Sequence, residues 1–121
     1  MEELKQITSE QMDKLPYIVA LDFDGTIVKQ AYPEIGEPNH RFIQKIRKMQ
    51  AENPTTRWVL WTCRTEKHLD DAVRFCYQQG LRFDAVNRNI DEVIKMFGHD
   101  TRKVYADVYV DDKNGVGWLY E

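Results

Sequence analysis

The side chains that carry chemistry fall in short clusters: Asp22-Phe23-Asp24-Gly25-Thr26, Thr62-Cys63-Arg64, a lone Lys103, and Asp111-Asp112. Four carboxylates gathered at one place would repel one another and raise their pKa values. A hard divalent cation removes that repulsion, and Mg2+ binds through one or two carboxylates together with a substrate phosphate. The hydroxyls of Thr26 and Thr62 and the backbone N–H groups of the Gly25 turn suit phosphate oxygens. Lys103 would add a compact positive charge to the same anion. This is equipment for phosphoryl transfer, where catalysis is mostly positioning and charge stabilisation. A carboxylate can attack phosphorus, giving an aspartyl-phosphate that water then cleaves. A second carboxyl two residues on, brought round by the Gly25 turn, can protonate the leaving oxygen and later take a proton from the water.

Such chemistry needs elements that bring the clusters together, and the intervening sequence supplies them. Tyr17 to Leu21 is a continuous apolar run that stops at Asp22, and Arg57 to Trp61 is a second that stops at Thr62. Continuous rather than alternating hydrophobicity marks strands buried on both faces, as in a parallel sheet. Phe83 to Val86 reads as a short third strand, and Lys103 to Val110 as the last strong one, ending at Asp111. Helical patterns lie between them. Asn39 is placed to cap a helix whose apolar face is Phe42, Ile43, Ile46 and Met49. Leu69, Ala72, Val73, Cys76 and Tyr77 follow helical spacing up to Gly80, and Ile90 to Phe97 is stopped by Gly98. Thr8 and Gln11 have capping-box spacing at a short leading helix that must end before Pro16. Residues 27–38, with Pro33, Gly36 and Pro38, form a loop or short hairpin. The alternation of strand and helix predicts an α/β fold with a mainly parallel sheet and helices on both faces. The carboxyl ends of such strands form the ligand crevice, so clusters about 40 and 90 positions apart should converge there.

Composition narrows the setting. The chain has 121 residues, 42% apolar and 31% charged, with a net charge of −3. One domain with a single core, spanning 1–121, is expected. The acidic balance and the absence of a basic stripe argue against nucleic acid as an obligatory partner. No stretch approaches the ~18 apolar residues of a membrane span, and residues 1–10 lack the apolar region of a secretory signal. Cys63 and Cys76 form neither a CxxC nor a paired framework, which fits free thiols and a cytoplasmic location.

The clusters also resemble a known family. Asp22-Phe23-Asp24-Gly25-Thr26 is similar to the first motif of the haloacid dehalogenase superfamily, DxDGT, and Trp61-Thr62-Cys63-Arg64 resembles its second, a strand-end Thr or Ser. Val110-Asp111-Asp112 resembles the late acidic motif, and Lys103 is the best candidate for the family lysine, with Lys113 or Arg64 as residues that share its task. The resemblance runs over residues 17–113. It implies a Rossmann-like three-layer sandwich and a Mg2+-dependent phosphatase acting on a phosphate monoester. Asp22 would be nucleophile and metal ligand. Asp24 would be general acid/base, with its backbone carbonyl on the metal. Thr62 and Lys103 would hold phosphate, Asp111 would ligate Mg2+ directly or through water, and Asp112 would support it. Gly25, Thr26, Cys63 and Arg64 would line the substrate site. Thirty-five residues separate Thr26 from Thr62, and 40 separate Thr62 from Lys103. The elements use nearly all of both intervals, so the chain resembles the capless, small-phosphatase branch of the family. Without a lid, water must be excluded by a second subunit or by the substrate itself. A homo-oligomer and a small phosphorylated substrate are expected.

Plainer readings stand beside these. Asp-x-Asp is also a turn signal, Thr62 is placed to cap the following helix, Lys103 can be a surface lysine, and Arg64 can pair with a nearby carboxylate. Trp58 and Trp61 read as packing residues, Asn87 and Asn89 as turn formers, His40 and His68 as solvated, and His99 as a loop residue. Lys29, Tyr32 and Glu34, on the loop after the first cluster, are positioned to meet a leaving group. Among rival functions, Cys76 and Arg82 have the C-x5-R spacing of cysteine phosphatases, but Cys76 falls inside a helical pattern instead of at a strand end. A receiver domain uses a similar kit in a different order, with its acidic pair on the first strand. A phosphotransferase, or a phosphate-binding module without turnover, remains as an alternative on the same fold.

Overall fold

A computed structural model describes residues 7–111. The elements run α1 (Ser9–Asp13), β1 (Ile18–Leu21), α2 (His40–Glu52), β2 (Arg57–Leu60), α3 (Glu66–Gln78), β3 (Ala85–Val86), α4 (Asp91–Phe97) and β4 (Val108–Val110). Among the described residues the strands form one parallel sheet in the order β3-β2-β1-β4. The chain is therefore α/β with a Rossmann-like, three-layer arrangement.

Burial of the sheet on both faces explains the uninterrupted apolar runs. All of β1 is buried. Its odd-numbered residues Val19 and Leu21 join Trp58, Leu60 and Val110 in a core cluster with Phe42, Ile43 and Ile46 of α2 and Ala72 and Cys76 of α3. Its even-numbered residues Ile18 and Ala20 join Val59, Ala85, Ile90, Val104 and Val93 of α4 in a second cluster on the opposite face. Right-handed crossovers require this division. The chain steps from β1 to β2 to β3 by way of α2 and α3, then returns past β1 to β4 by way of α4. The reversal of strand order lies at β1, where a doubly wound sheet opens its crevice.

Paired aspartates set the strand starts. Asp107 accepts the Ile18 N–H (2.8 Å) while its own N–H donates to the Ile18 carbonyl (2.8 Å). Asp84 does the same with Trp58 at the head of β3. The reading of Lys103 to Val110 as a single strand is corrected here, since β4 begins at Val108. Two amides further upstream bond to side chains instead of to a neighbouring strand. The Tyr105 N–H donates to Asn89 Oδ1 (2.7 Å), and the Ala106 N–H to the Tyr109 hydroxyl (3.1 Å). Val104 is buried in the second cluster as part of a packed loop.

Asn89 is the hub of that loop. It is fully buried, donates to Asp100 and Thr101 (2.7 and 3.0 Å) and accepts from Tyr105. Truncation would remove these side-chain hydrogen bonds and leave the part-buried Tyr105 N–H without its acceptor, a loss of about 2 kcal/mol. Asn89→Ala is thus expected to lower the urea midpoint at an unchanged slope; a midpoint equal to that of wild type would refute the role.

Helix boundaries follow their local chemistry. Thr8 and Gln11 form the full capping box at α1. Gly98 ends α4 at φ +84, a left-handed conformation glycine adopts without strain. Asn39 does not cap α2 with its side chain; its amide donates instead to the Thr26 carbonyl (2.7 Å), which ties the helix start to the loop after β1. Tyr77, read as part of the apolar face of α3, is 53% exposed. No helix of the described residues is long and apolar enough to cross a membrane.

Candidate active site

The four strands end level with one another. Leu21 pairs with Leu60 and with Val110, and Leu60 pairs with Val86. The ladder continues one residue further, through Asp22 N–H to the Val110 carbonyl (2.9 Å), Trp61 N–H to the Leu21 carbonyl (2.8 Å) and Asn87 N–H to the Leu60 carbonyl (2.8 Å). Asn87, Trp61, Asp22 and Asp111 thus form a row across the carboxyl edge of the sheet. Side chains alternate along a strand, so Asp22 keeps the face of Ala20, and Asp111 that of Tyr109. All four line a cleft of about 280 Å³ together with Trp61, Thr62 and Cys63. Two carboxylates 89 positions apart in sequence stand on neighbouring strands and face one cavity.

Asp22 also borders a second cleft, of about 420 Å³, with Asp24, Gln30, Tyr32, Thr62, Cys63 and Arg64. It lies at the junction of the two. Its Oδ1 accepts the N–H of Phe23 (2.8 Å). The chain then turns at Gly25, whose φ of +82 requires the freedom of glycine. The Gly25 N–H donates to the Val28 carbonyl, and the N–H groups of Thr26 and Ile27 donate to the Phe23 carbonyl. These amides close the turn, so the expected donation from the Gly25 turn to phosphate is corrected: the donors are already used. Thr26 is corrected too. It is 4% exposed, lines neither cleft, and its hydroxyl has no partner among the described residues, because the turn drives Thr26, Ile27 and Val28 into the core.

Arg64 is the largest fully buried side chain among the described residues, 1% exposed. Its fork grips Asp24 with Nε on Oδ2 (2.8 Å) and Nη2 on Oδ1 (2.7 Å). Nη2 also donates to the Glu34 carbonyl (2.8 Å), and Nη1 to those of Pro33 (3.0 Å) and His68 (3.4 Å). The guanidinium carbon lies 5.0 Å from the ring centres of both Phe23 and Tyr32. All five N–H donors are therefore engaged. Hydrogen bonding to Asp24 raises the Arg64 pKa above its usual value, against the opposing effect of desolvation. Of the two readings of Arg64, pairing with a carboxylate is the one the geometry carries. Its guanidinium holds Asp24 at the edge of the cleft and fastens the loop at Pro33 and Glu34.

Thr62 and Cys63 line both clefts, and Cys63 is exposed. Thr62 does not cap α3, which starts after Thr65. Its Oγ1 accepts the Arg64 N–H (3.2 Å), leaving its own hydrogen to donate. Asn87 sets this turn. Its Oδ1 accepts the Thr62 N–H (2.8 Å) and its Nδ2 donates to the Arg64 carbonyl (3.4 Å), at a backbone φ of +54. The asparagine reads as a turn former in sequence, yet it positions a site residue from a neighbouring strand. Its place directly after a strand was the one available signal.

Lys103 lines neither cleft. Its ammonium stands 5.2 Å from the ring centre of Tyr109, which borders the smaller cleft. Trp61, read as a packing residue, is 39% exposed and lines that cleft, whereas Trp58 is buried. The cysteine-phosphatase alternative loses its nucleophile: Cys76 is buried in α3, and burial pushes its thiol up to about 12. Asp112 and Lys113 lie outside the described residues.

The donor set suits Mg2+. Asp22 and Asp111 offer hard oxygen ligands from adjacent strands on one face, as many carboxylates as such a site needs when phosphate and water complete it. The Asp24 carboxylate is taken by Arg64, which leaves its backbone carbonyl as the ligand the motif implies. Among the described residues, no group of three or more His, Cys, Asp or Glu side chains is gathered for a metal.

Comparison with known proteins adds one relative. A solved structure of a conserved protein from Bacteroides thetaiotaomicron is 37% identical over 82% of this chain and 78% of that one, with a TM-score of 0.70. No protein-family model and no curated protein matches the sequence.

Proposed function

Because the chain belongs to the family of the conserved Bacteroides thetaiotaomicron protein, whose fold it shares, we propose a function from the site itself: a Mg2+-dependent phosphohydrolase of the haloacid dehalogenase type. One observation carries the reading. Asp22 and Asp111 face a common cleft from neighbouring strand ends, at the point where strand order reverses, and Thr62 borders the same space. A fold of this kind hosts many activities, so the claim rests on these residues.

In this reading the Asp22 carboxylate attacks phosphorus as the bond to the leaving oxygen breaks, giving an aspartyl-phosphate. Thr62 donates its hydroxyl hydrogen to a non-bridging phosphate oxygen. Asp22 and Asp111 would hold Mg2+, which when bound would supply charge neutralisation at the phosphate oxygens. Asp24 manages the protons. With both oxygens on Arg64 it is set to accept a proton from the attacking water in the second step. In the first step its protonated form, with one of those bonds given up, passes its proton to the leaving oxygen, and the proton taken from water in the second step restores that form. Both clefts are open to solvent, which suits a small phosphate ester entering without lid movement.

The test is phosphate release from a panel of small phosphate esters in Mg2+ and in EDTA. Release with Mg2+ and its loss with EDTA are expected. Release that ignores EDTA, or none from any ester, would defeat the proposal.

A further inference from the structure

The larger cleft has a feature that phosphate chemistry does not use. Tyr32 stands on the loop after the first cluster, 55% exposed, and lines the same cavity as Asp22 and Asp24. Its ring is not loose. One face lies on the Arg64 guanidinium, with its carbon 5.0 Å from the ring centre, and His68 meets the ring edge-on at 5.4 Å and 70°. Below, Arg64 is stacked on Phe23 and hydrogen-bonded to the carbonyls of Pro33 and Glu34, the two residues that follow Tyr32. The Tyr32 N–H donates to the Gln30 side chain (3.3 Å), and Gln30 borders the cleft as well. Here a buried cation and two loop carbonyls fix it beside the nucleophile.

We propose that Tyr32 is a specificity-determining residue: a fixed platform on which a planar aromatic ring of the leaving group stacks while the phosphate reaches Asp22. The inference rests on the phosphohydrolase reading and deepens it to a substrate class, small phosphate monoesters that carry an aromatic ring. A cleft of about 420 Å³ has room for a ring and its linker. The arginine beneath the tyrosine makes the platform rigid, so little ordering is left for binding to overcome. The ring belongs either to an aryl group on the phosphate oxygen or to a nucleobase beyond a sugar, and the two differ in their distance from phosphorus.

The experiment compares phenyl phosphate, adenosine 5′-monophosphate and glycerol 3-phosphate with Mg2+, using wild type, Tyr32→Phe, Tyr32→Leu and Trp61→Leu. The readout is kcat/KM for each ring compound divided by that for glycerol phosphate, compared between variants, so that intrinsic reactivity cancels. Stacking on an aromatic side chain changes binding by on the order of tenfold or more. Tyr32→Leu is expected to lower the ratio about tenfold for at least one ring compound, and Tyr32→Phe to retain it. The compound that responds identifies the aryl or the nucleobase source. A ratio unchanged in Tyr32→Leu, or one lost only in Trp61→Leu, overturns the proposal. If no compound is turned over, the phosphohydrolase reading fails separately. Calorimetric binding of the same three compounds then decides the platform: weaker binding of the ring compounds alone in Tyr32→Leu sustains it, and equal changes for all three refute it.

Discussion

Asp22→Asn is expected to abolish Mg2+-dependent phosphate release, with a loss on the order of ten-thousandfold or more, because it removes the proposed nucleophile itself. The substitution suits the question. Asparagine keeps the Oδ1 acceptor that receives the Phe23 N–H, so the local turn has no reason to open. What disappears is a charged oxygen able to bond phosphorus, and one of two carboxylates facing the cleft with Asp111. A second readout follows from the same geometry. A cation that binds the folded chain and not the unfolded one raises the melting temperature by mass action. Mg2+ should therefore stabilise wild type more than Asp22→Asn, and the difference should vanish in EDTA. Retained turnover in the variant would move the nucleophile elsewhere, and equal Mg2+ stabilisation would remove Asp22 from the metal site.

Arg64→Ala is expected to destabilise the fold by about 3–5 kcal/mol, the cost of leaving one member of a buried ion pair alone. The surroundings justify a value of that size. The Arg64 side chain is 1% exposed and that of Asp24 14%, so water can replace the lost partner only in part. The deletion also frees the carbonyls of Pro33, Glu34 and His68, and removes the cation between Phe23 and Tyr32. Arg64→Lys should recover little. An ammonium is a point donor and cannot span both Asp24 oxygens and reach the loop at once. Denaturant unfolding measures the loss. A cycle with Asp24→Asn separates the pair from the rest, because residues that act together give a coupling term. A loss below about 1 kcal/mol would class the pair with weak surface bridges. Activity should fall with stability in these variants, since Arg64 is what orients Asp24.

Much of the site is legible in the sequence because a parallel sheet obeys simple geometry. Uninterrupted apolar runs ending at Asp22, Thr62 and Asp111 are strands that stop in water at one edge, and the structure sets them level there. Two local capping signals behaved in the same way: Thr8 with Gln11, and Gly98 after Phe97, involve residues close in sequence, whereas Asn39 turns its amide to the Thr26 carbonyl. The misreadings share another cause. Val104 to Ala106 has the apolar character of a strand, yet the amides of Tyr105 and Ala106 go to Asn89 and the Tyr109 hydroxyl, partners that no local pattern announces. Trp61 looks like Trp58 in sequence, but it lies one residue past the last buried position of β2, where the same side-chain type meets solvent.

Residue types and spacing thus determined which strands form, that they run parallel, and which carboxylates lie at their ends, since burial on two faces and right-handed crossovers leave few arrangements open. The tertiary structure decided how those ends are used. It turned Thr26 into the core, joined Arg64 to Asp24 across 40 positions, and set Tyr32 on that arginine. Side-chain pairing of this kind depends on distances between segments remote in sequence. The free energy of a buried charge selects a partner only after the chain has folded round it.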